Sequence, residues 1–163
     1  MARSGGGAGV VIRLFEPGDA AAAAQVFYAA VHEGAATAYS VEERAAWAPA
    51  VPDTQAWGER LGAATSVVAE CDGEMLGFMT LEPDGMIDLA FVAPSAMGAG
   101  VGWRLYGAIE RAARDAEMAR LSTDASLVAR PFFERQGFAL KRRQRVMRQG
   151  VALSNYRMEK RLD

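Results

Sequence analysis

The chain has 163 residues, 51% of them hydrophobic and 23% charged, with a formal net charge of −2. That is the composition of one globular domain large enough to bury a core. No uncharged apolar run reaches the roughly 18 residues of a membrane span, and an acidic balance without a basic-aromatic module argues against nucleic acid. The single cysteine rules out an internal disulfide, makes the cytoplasm the expected compartment and, with a single histidine, leaves no structural zinc set. The charge is unevenly spread. Residues 1–89 hold 4 basic and 13 acidic side chains, and residues 90–163 hold 14 and 7. Such a partition is ordinary surface chemistry; read functionally, it gives a basic half for a polyanionic cofactor and an acidic half that attracts a cationic acceptor.

Residues 1–9 are glycine-rich, lack an apolar stretch and read as a disordered tail rather than a signal peptide; residues 10–163 form the domain. Val10 to Leu14 alternates as a first strand. Asp19 is the expected N-cap of a helix over 20–33, driven by its alanine run. Ser40 and Glu43 form a capping box ahead of a short helix to Trp47, which Pro49 and Pro52 end. Asp53 or Thr54 starts a helix reaching Leu61. Ser66 to Glu70 and Met75 to Leu81 are strands joined at Asp72-Gly73, and Met86 to Val92 is the third member of this meander. A helix follows over 103–118, then a strand at Leu121 to Asp124 and a helix over Leu127 to Gln136, stopped by Gly137. Phe138 to Met147 and Leu153 to Lys160 read as a terminal antiparallel pair around Gln149-Gly150. The pattern is α+β, with a mainly antiparallel sheet flanked by helices and one βαβ element.

The most informative segment lies between the third strand and its helix: Phe91, Val92, Pro94, then Gly98, Gly100 and Gly102, with Trp103 beginning the helix. A strand, a glycine turn and a helix start make an anion site, because first-turn amides lack intrahelical partners. No Lys-Ser or Lys-Thr follows the glycines, so this is not a P-loop. The Gly-x-Gly-x-Gly spacing and the missing downstream acidic residue exclude the dinucleotide fingerprint. A kinase loop would need a lysine strand and an Asp-Asn loop, and neither is visible.

Val92, Pro94, Gly98, Gly100 and Gly102 resemble motif A of the GNAT acyltransferases, with Met97 at the position usually held by Arg or Gln. Downstream, Ala129, Phe132, Glu134, Gly137 and Phe138 resemble motif B of the same family, with Ser126 in its asparagine slot and Phe133 in place of its tyrosine. The resemblance covers nearly the whole chain after residue 10. It implies the GNAT fold and acetyl-CoA as co-substrate; with one cysteine and one histidine, no metal is expected. It implies a cofactor site at Phe91, Val92, Gly98, Ala99, Gly100, Val101, Gly102, Trp103, Ser126 and Phe133. The tyrosine that protonates departing coenzyme A in many relatives has no counterpart, since Phe133 has no proton to give. An oxyanion donor is expected from a backbone amide near Phe91 and Val92.

Three side chains are candidates for proton transfer. Asp88 lies in the strand where several relatives carry a general-base glutamate; a partly buried carboxylate there titrates nearer neutrality. His32, at the end of the first helix, either accepts the amine proton or caps backbone carbonyls. Tyr156, in the last strand, either replaces the missing acid or is a sheet residue. Tyr39, Trp47 and Trp57 line an acceptor pocket or belong to the core. Arg104 is within reach of a phosphate, and the cluster Lys141, Arg142, Arg143 and Arg145 either forms a solvated strand face, the default reading, or meets the adenosine 3′-phosphate. The expected activity is direct transfer of an acetyl group to a primary amine, on a small molecule or a peptide. The alternatives are a CoA-binding module weakened in catalysis and an acyltransferase using a longer acyl-CoA. The terminal strands are able to pair across a homodimer.

Overall fold

A computed structural model describes residues 9–163; the tail expected over 1–9 lies, but for Gly9, outside the described residues. The first strand, β1 (Val11–Leu14), leads into α1 (Ala20–Ala29), which continues as a π-helical turn over Ala30–Gly34, and then into α2 (Val41–Trp47) and α3 (Thr54–Gly62). The meander is β2 (Thr65–Cys71) and β3 (Glu74–Leu81), followed by β4 (Met86–Ile87) and β5 (Ala90–Val92). The remainder is α4 (Val101–Asp115), β6 (Arg120–Ala125), α5 (Arg130–Arg135), β7 (Ala139–Arg148) and β8 (Val151–Arg161). Among the described residues no helix is long and apolar enough to cross a membrane.

Local chemistry sets most of these boundaries. Ser40 Oγ accepts from the Glu43 amide at 3.1 Å while Glu43 Oε1 accepts from the Ser40 amide at 2.8 Å, closing the expected box. Asp53 Oδ2 caps α3 through the Ala56 amide at 2.9 Å. Asp19 departs from its expected capping role: its carboxylate takes both Arg13 guanidinium nitrogens and the Glu16 amide, each at 2.8 Å. The alanine run buries a narrow face, with Ala20, Ala23 and Ala24 all in the core. Only small side chains fit there, since a Cβ on Gly58 of α3 would sit 3.2 Å from the Ala20 Cβ.

The sheet is two four-stranded pieces, ordered β1-β2-β3-β5 and β4-β6-β8-β7. The third meander strand, expected to be continuous over Met86–Val92, is therefore broken. Met86 and Ile87 pair in parallel with Ser122 and Thr123 of β6, whereas Ala90, Phe91 and Val92 pair antiparallel with β3. Two buried hydroxyls hold the break from either side. Thr123 Oγ1 donates to the Ile87 carbonyl at 2.9 Å, and Thr80 Oγ1 accepts from the Leu89 amide at 3.0 Å. Beyond Leu89 the two sheets diverge.

Two helix boundaries also differ from expectation. Helix α4 starts two residues early, at Val101, and ends at Asp115, before Glu117 takes a left-handed φ of 58°. Helix α5 starts only at Arg130, because Ser126 Oγ accepts from the Ala129 amide at 3.0 Å and turns the preceding residues into a cap.

One core cluster joins α4, α5 and both sheets through Leu105, Ile109, Phe133, Phe138 and Met158. The other packs α1 and α3 on β2 and β3 through Val31, Leu61, Val68 and Phe78. Helix α4 is tied to β8 by Glu110, whose Oε1 accepts from Lys160 Nζ and from the Tyr106 hydroxyl, each at 2.6 Å, and whose Oε2 accepts from Arg114 at 3.1 Å. Burial raises the Glu110 pKa, but these donors together outweigh it and bring it from 4.5 down to about 2. A carboxylate depressed on folding stabilises fully above its unfolded pKa and loses that contribution as pH falls through the folded value. Urea unfolding at pH 6 and pH 2 is expected to show wild type losing roughly 3 kcal/mol more than Glu110→Gln over that window.

Candidate active site

The glycine run assigns a different task to each glycine. Gly98 and Gly100 take φ of 79° and 84°, a left-handed conformation that side chains resist, and open space surrounds both. Gly100 is the N-cap of α4, and the first intrahelical bond runs from the Arg104 amide to its carbonyl at 3.1 Å. The amides of Val101, Gly102 and Trp103 therefore have no helical partner, at the positive end of a 15-residue helix. Gly102 serves contact instead: a Cβ there would lie 3.3 Å from the Phe132 ring, so its absence lets α4 close on α5.

These residues border a cleft of about 600 Å³. Nine of the ten positions expected to hold cofactor line it: Phe91, Val92, Gly98, Gly100, Val101, Gly102, Trp103, Ser126 and Phe133; Ala99 does not. Trp103 is 67% exposed beside the loop. Met97, 46% exposed, lines the cleft and reaches toward Gly34. Arg104 is turned to the Val10 carbonyl, 2.9 Å from Nη1. Of the basic cluster, Lys141, Arg142, Arg143 and Arg145 all lie on the exposed edge strand β7, and none lines the cleft.

Strand parity selects the amides available on β5. The Thr80 amide donates to the Leu89 carbonyl and the Ala93 amide to the Leu76 carbonyl. In an antiparallel ladder hydrogen-bonded pairs alternate, so the pair between these two, Phe78 and Phe91, also faces inward. Phe91 thus spends its amide on β3. The amides of Ala90 and Val92 point to the other edge of β5, where the sheets have parted.

A second cavity of about 280 Å³ adjoins the cleft. Trp47, Ala90, Phe91, Ser126, Ala129 and Phe133 line both. Phe133, only 1% exposed, stands at this junction. Tyr39, Trp47 and Trp57 all line the smaller cavity. The Tyr39 hydroxyl donates to the Ser154 carbonyl at 2.7 Å and accepts from the Leu127 amide at 3.0 Å. Burial pushes its pKa up, against the lowering effect of the Leu127 amide.

The three candidates for proton transfer separate. Asp88 lines the smaller cavity from the break between β4 and β5, with Oδ2 accepting from Arg60 Nη2 at 2.8 Å. His32 lines neither cavity; its Nε2 sits 2.7 Å from the carbonyl of Ala48, the residue that ends α2, and its ring stacks on Tyr28 at 4.3 Å. It is a carbonyl-capping residue that ties α1 to α2. Tyr156 also lines neither cavity, and its ring lies under the Arg130 guanidinium at 4.5 Å. The sequence reading did not single out Arg60, Asp124, Arg148 or Asn155, which the fold brings to the smaller cavity from four separate elements.

Residues 35–160 match the family model described as an acetyltransferase (GNAT) domain. The chain is 32% identical over 149 residues to the uncharacterized N-acetyltransferase YafP of Escherichia coli K12, covering 91% of this chain and 94% of the relative. A crystal structure of a GCN5-related N-acetyltransferase from Rhodopseudomonas palustris superposes with a TM-score of 0.89 at 33% identity, over 99% of both chains. The fold is also that of yncA from Salmonella typhimurium, a putative acetyltransferase solved with its cofactor acetyl-CoA, with a TM-score of 0.73 at 20% identity over 95% of each chain. With its parted strands, its glycine loop at a helix start and these relatives, the chain belongs to the GNAT family of acetyltransferases.

Proposed function

We propose that the protein transfers an acetyl group directly from acetyl-CoA to a primary amine, with both substrates bound at once. One observation carries this reading: the two cavities share the wall made by Ala90, Phe91, Ser126 and Phe133, so a donor in one and an acceptor in the other meet without an enzyme-bound intermediate. The cleft suits the cofactor. Its left-handed glycines bare the backbone, and the free amides of Val101, Gly102 and Trp103 receive the pyrophosphate. Ser126 accepts from the Ala129 amide and keeps its hydroxyl proton for the pantetheine arm.

The chemistry asks little of the side chains. A neutral amine nitrogen attacks the thioester carbonyl carbon, the C–S bond breaks, the amide forms, and coenzyme A departs as a thiolate. The Val92 amide, directed off the ladder, stabilises the developing oxyanion. A thiolate leaves far more readily than an alkoxide and takes a proton from water after it departs, so Phe133 need not supply one. Holding both reactants at the shared wall supplies much of the rate. Asp88 takes the proton released from nitrogen. A thiol-release assay with acetyl-CoA and a panel of primary amines tests the reading. Turnover of at least one acceptor is expected; saturable acetyl-CoA binding with no thiol release above background would instead mark a binding module.

Trp103 presents its exposed ring beside the amides that take the pyrophosphate, where it offers a stacking face to the adenine. Stacking of a base on an aromatic side chain contributes about 1–3 kcal/mol. Trp103→Ala is therefore expected to weaken acetyl-CoA binding about tenfold by calorimetry, with an unchanged melting temperature.

A further inference from the structure

The acidic first half of the chain suggests an acceptor pocket that attracts cationic amines, but the charges that reach the cavity tell otherwise. Among the described residues four charged side chains line it: Arg60, Asp88, Asp124 and Arg148. Both carboxylates are already paired with an arginine. Asp88 is held by Arg60 at 2.8 Å, and Arg60 in turn lies over the Trp57 ring at 5.4 Å. Asp124 is held by Arg157 through Nε at 2.6 Å and Nη2 at 3.3 Å, and by Gln144 at 2.9 Å. Arg148 is different. It ends β7 at the Gln149-Gly150 turn and forms no ion pair with any described residue. The free charge of the acceptor cavity is therefore positive, and its walls are aromatic, with Phe27, Tyr39, Trp47 and Trp57 among them.

We infer that the acceptor is a small aminocarboxylate with an apolar or aromatic body, whose carboxylate is received by Arg148. This rests on the acetyl-transfer reading above. The volume of about 280 Å³ lies at the small end of ligand cavities, which suits a compact acceptor. The charge logic also serves the reaction. A neighbouring cation disfavours the ammonium form, so Arg148 helps the nitrogen arrive neutral and able to attack. It repels an amine that carries no compensating charge. A carboxylate on the acceptor turns that repulsion into attraction while leaving the nitrogen at the shared wall. With Arg60 tied to Asp88, no second cation lining the cavity competes for it.

The test compares phenylalanine with phenethylamine, which lacks only the carboxylate. Two readouts are taken on the full chain: thiol release with acetyl-CoA, and calorimetric binding of each compound to the CoA-loaded protein. Phenylalanine is expected to bind and react about tenfold better than phenethylamine, the advantage shrinking at high salt because Arg148 is exposed. Arg148→Glu is expected to abolish or invert the preference and Arg148→Lys to keep most of it, both with unchanged acetyl-CoA affinity. Phenethylamine preferred by wild type, or a preference unmoved by Arg148→Glu, would overturn the inference while leaving acetyl transfer intact. Selective binding of phenylalanine without thiol release would support the anion site and overturn the transfer reading instead.

Discussion

Gly85→Ala is expected to be strongly destabilising for a substitution that adds only a methyl group. Gly85 has a φ of 91°, and a Cβ there would lie 2.4 Å from the Arg120 carbonyl oxygen, a backbone atom that cannot swing away. The same residue closes the turn from Glu82 and accepts from the Ser122 amide at 3.0 Å, the first link between the meander and β6. A left-handed alanine costs about 1–2 kcal/mol, and overpacking against fixed backbone adds about 1–3 kcal/mol. The total of roughly 3 kcal/mol corresponds to a melting temperature lower by about 6–12 °C for a chain of this length. Differential scanning calorimetry checks this. Because Met86 and Ile87 must follow the displaced turn, the variant should also open the divergence between the sheets.

Gly77→Ala is expected to strike function harder than stability. Gly77 lies on β3 opposite Val92, with ordinary strand geometry. A Cβ there would meet the Phe91 carbonyl oxygen at 2.8 Å, Leu105 Cδ1 at 3.1 Å and Val92 Cα at 3.3 Å. Leu105 can give way; the β5 backbone can move only by leaving its place at the cavity wall. The Val92 amide, assigned to the oxyanion, moves with it. A displacement of about 1 Å at reacting groups costs on the order of a hundredfold in rate, against a stability loss of about 1–3 kcal/mol. Steady-state thiol release on folded variant protein is expected to show kcat/KM lower by about that factor, most of it in kcat. Equal activity in the variant would mean that β5 does not position the reaction.

Much of the fold was legible in the sequence where the determining chemistry is local. Ser40 and Glu43 are three residues apart, Asp53 caps its own helix, and Asp72-Gly73 makes a turn with φ of 52° and 79°. That the glycine loop borders a cleft was equally legible, because the loop is one continuous segment and motif B brings Ser126 and Phe133 beside it. The break at Asp88-Leu89 was not. Met86 to Val92 is apolar enough for one strand, and what divides it is the pair of hydroxyls on Thr80 and Thr123, one on each sheet. The smaller cavity was hidden for the same reason. Arg60, Asp88, Asp124 and Arg148 are far apart in sequence, and only their pairing in space reveals which charge is left over. Summed charge over residues 1–89 does not show that Asp88 and Asp124 are each paired with an arginine where they line the smaller cavity. His32 shows the limit from the other side, since a histidine at a helix end reads equally as a base or a cap until the Ala48 carbonyl is found 2.7 Å away.

Calorimetric titration of acetyl-CoA into wild type and Gly100→Val asks whether the parted strands and the glycine loop hold acetyl-CoA. A φ of 84° strains any residue with a side chain, and a Cβ added at Gly100 has no atom within 4 Å, so the substitution disturbs the loop conformation and leaves the core alone. Saturable one-to-one binding to wild type and a loss of at least about tenfold in the variant are expected. No binding to wild type at millimolar acetyl-CoA, or equal binding to both proteins, would contradict this expectation.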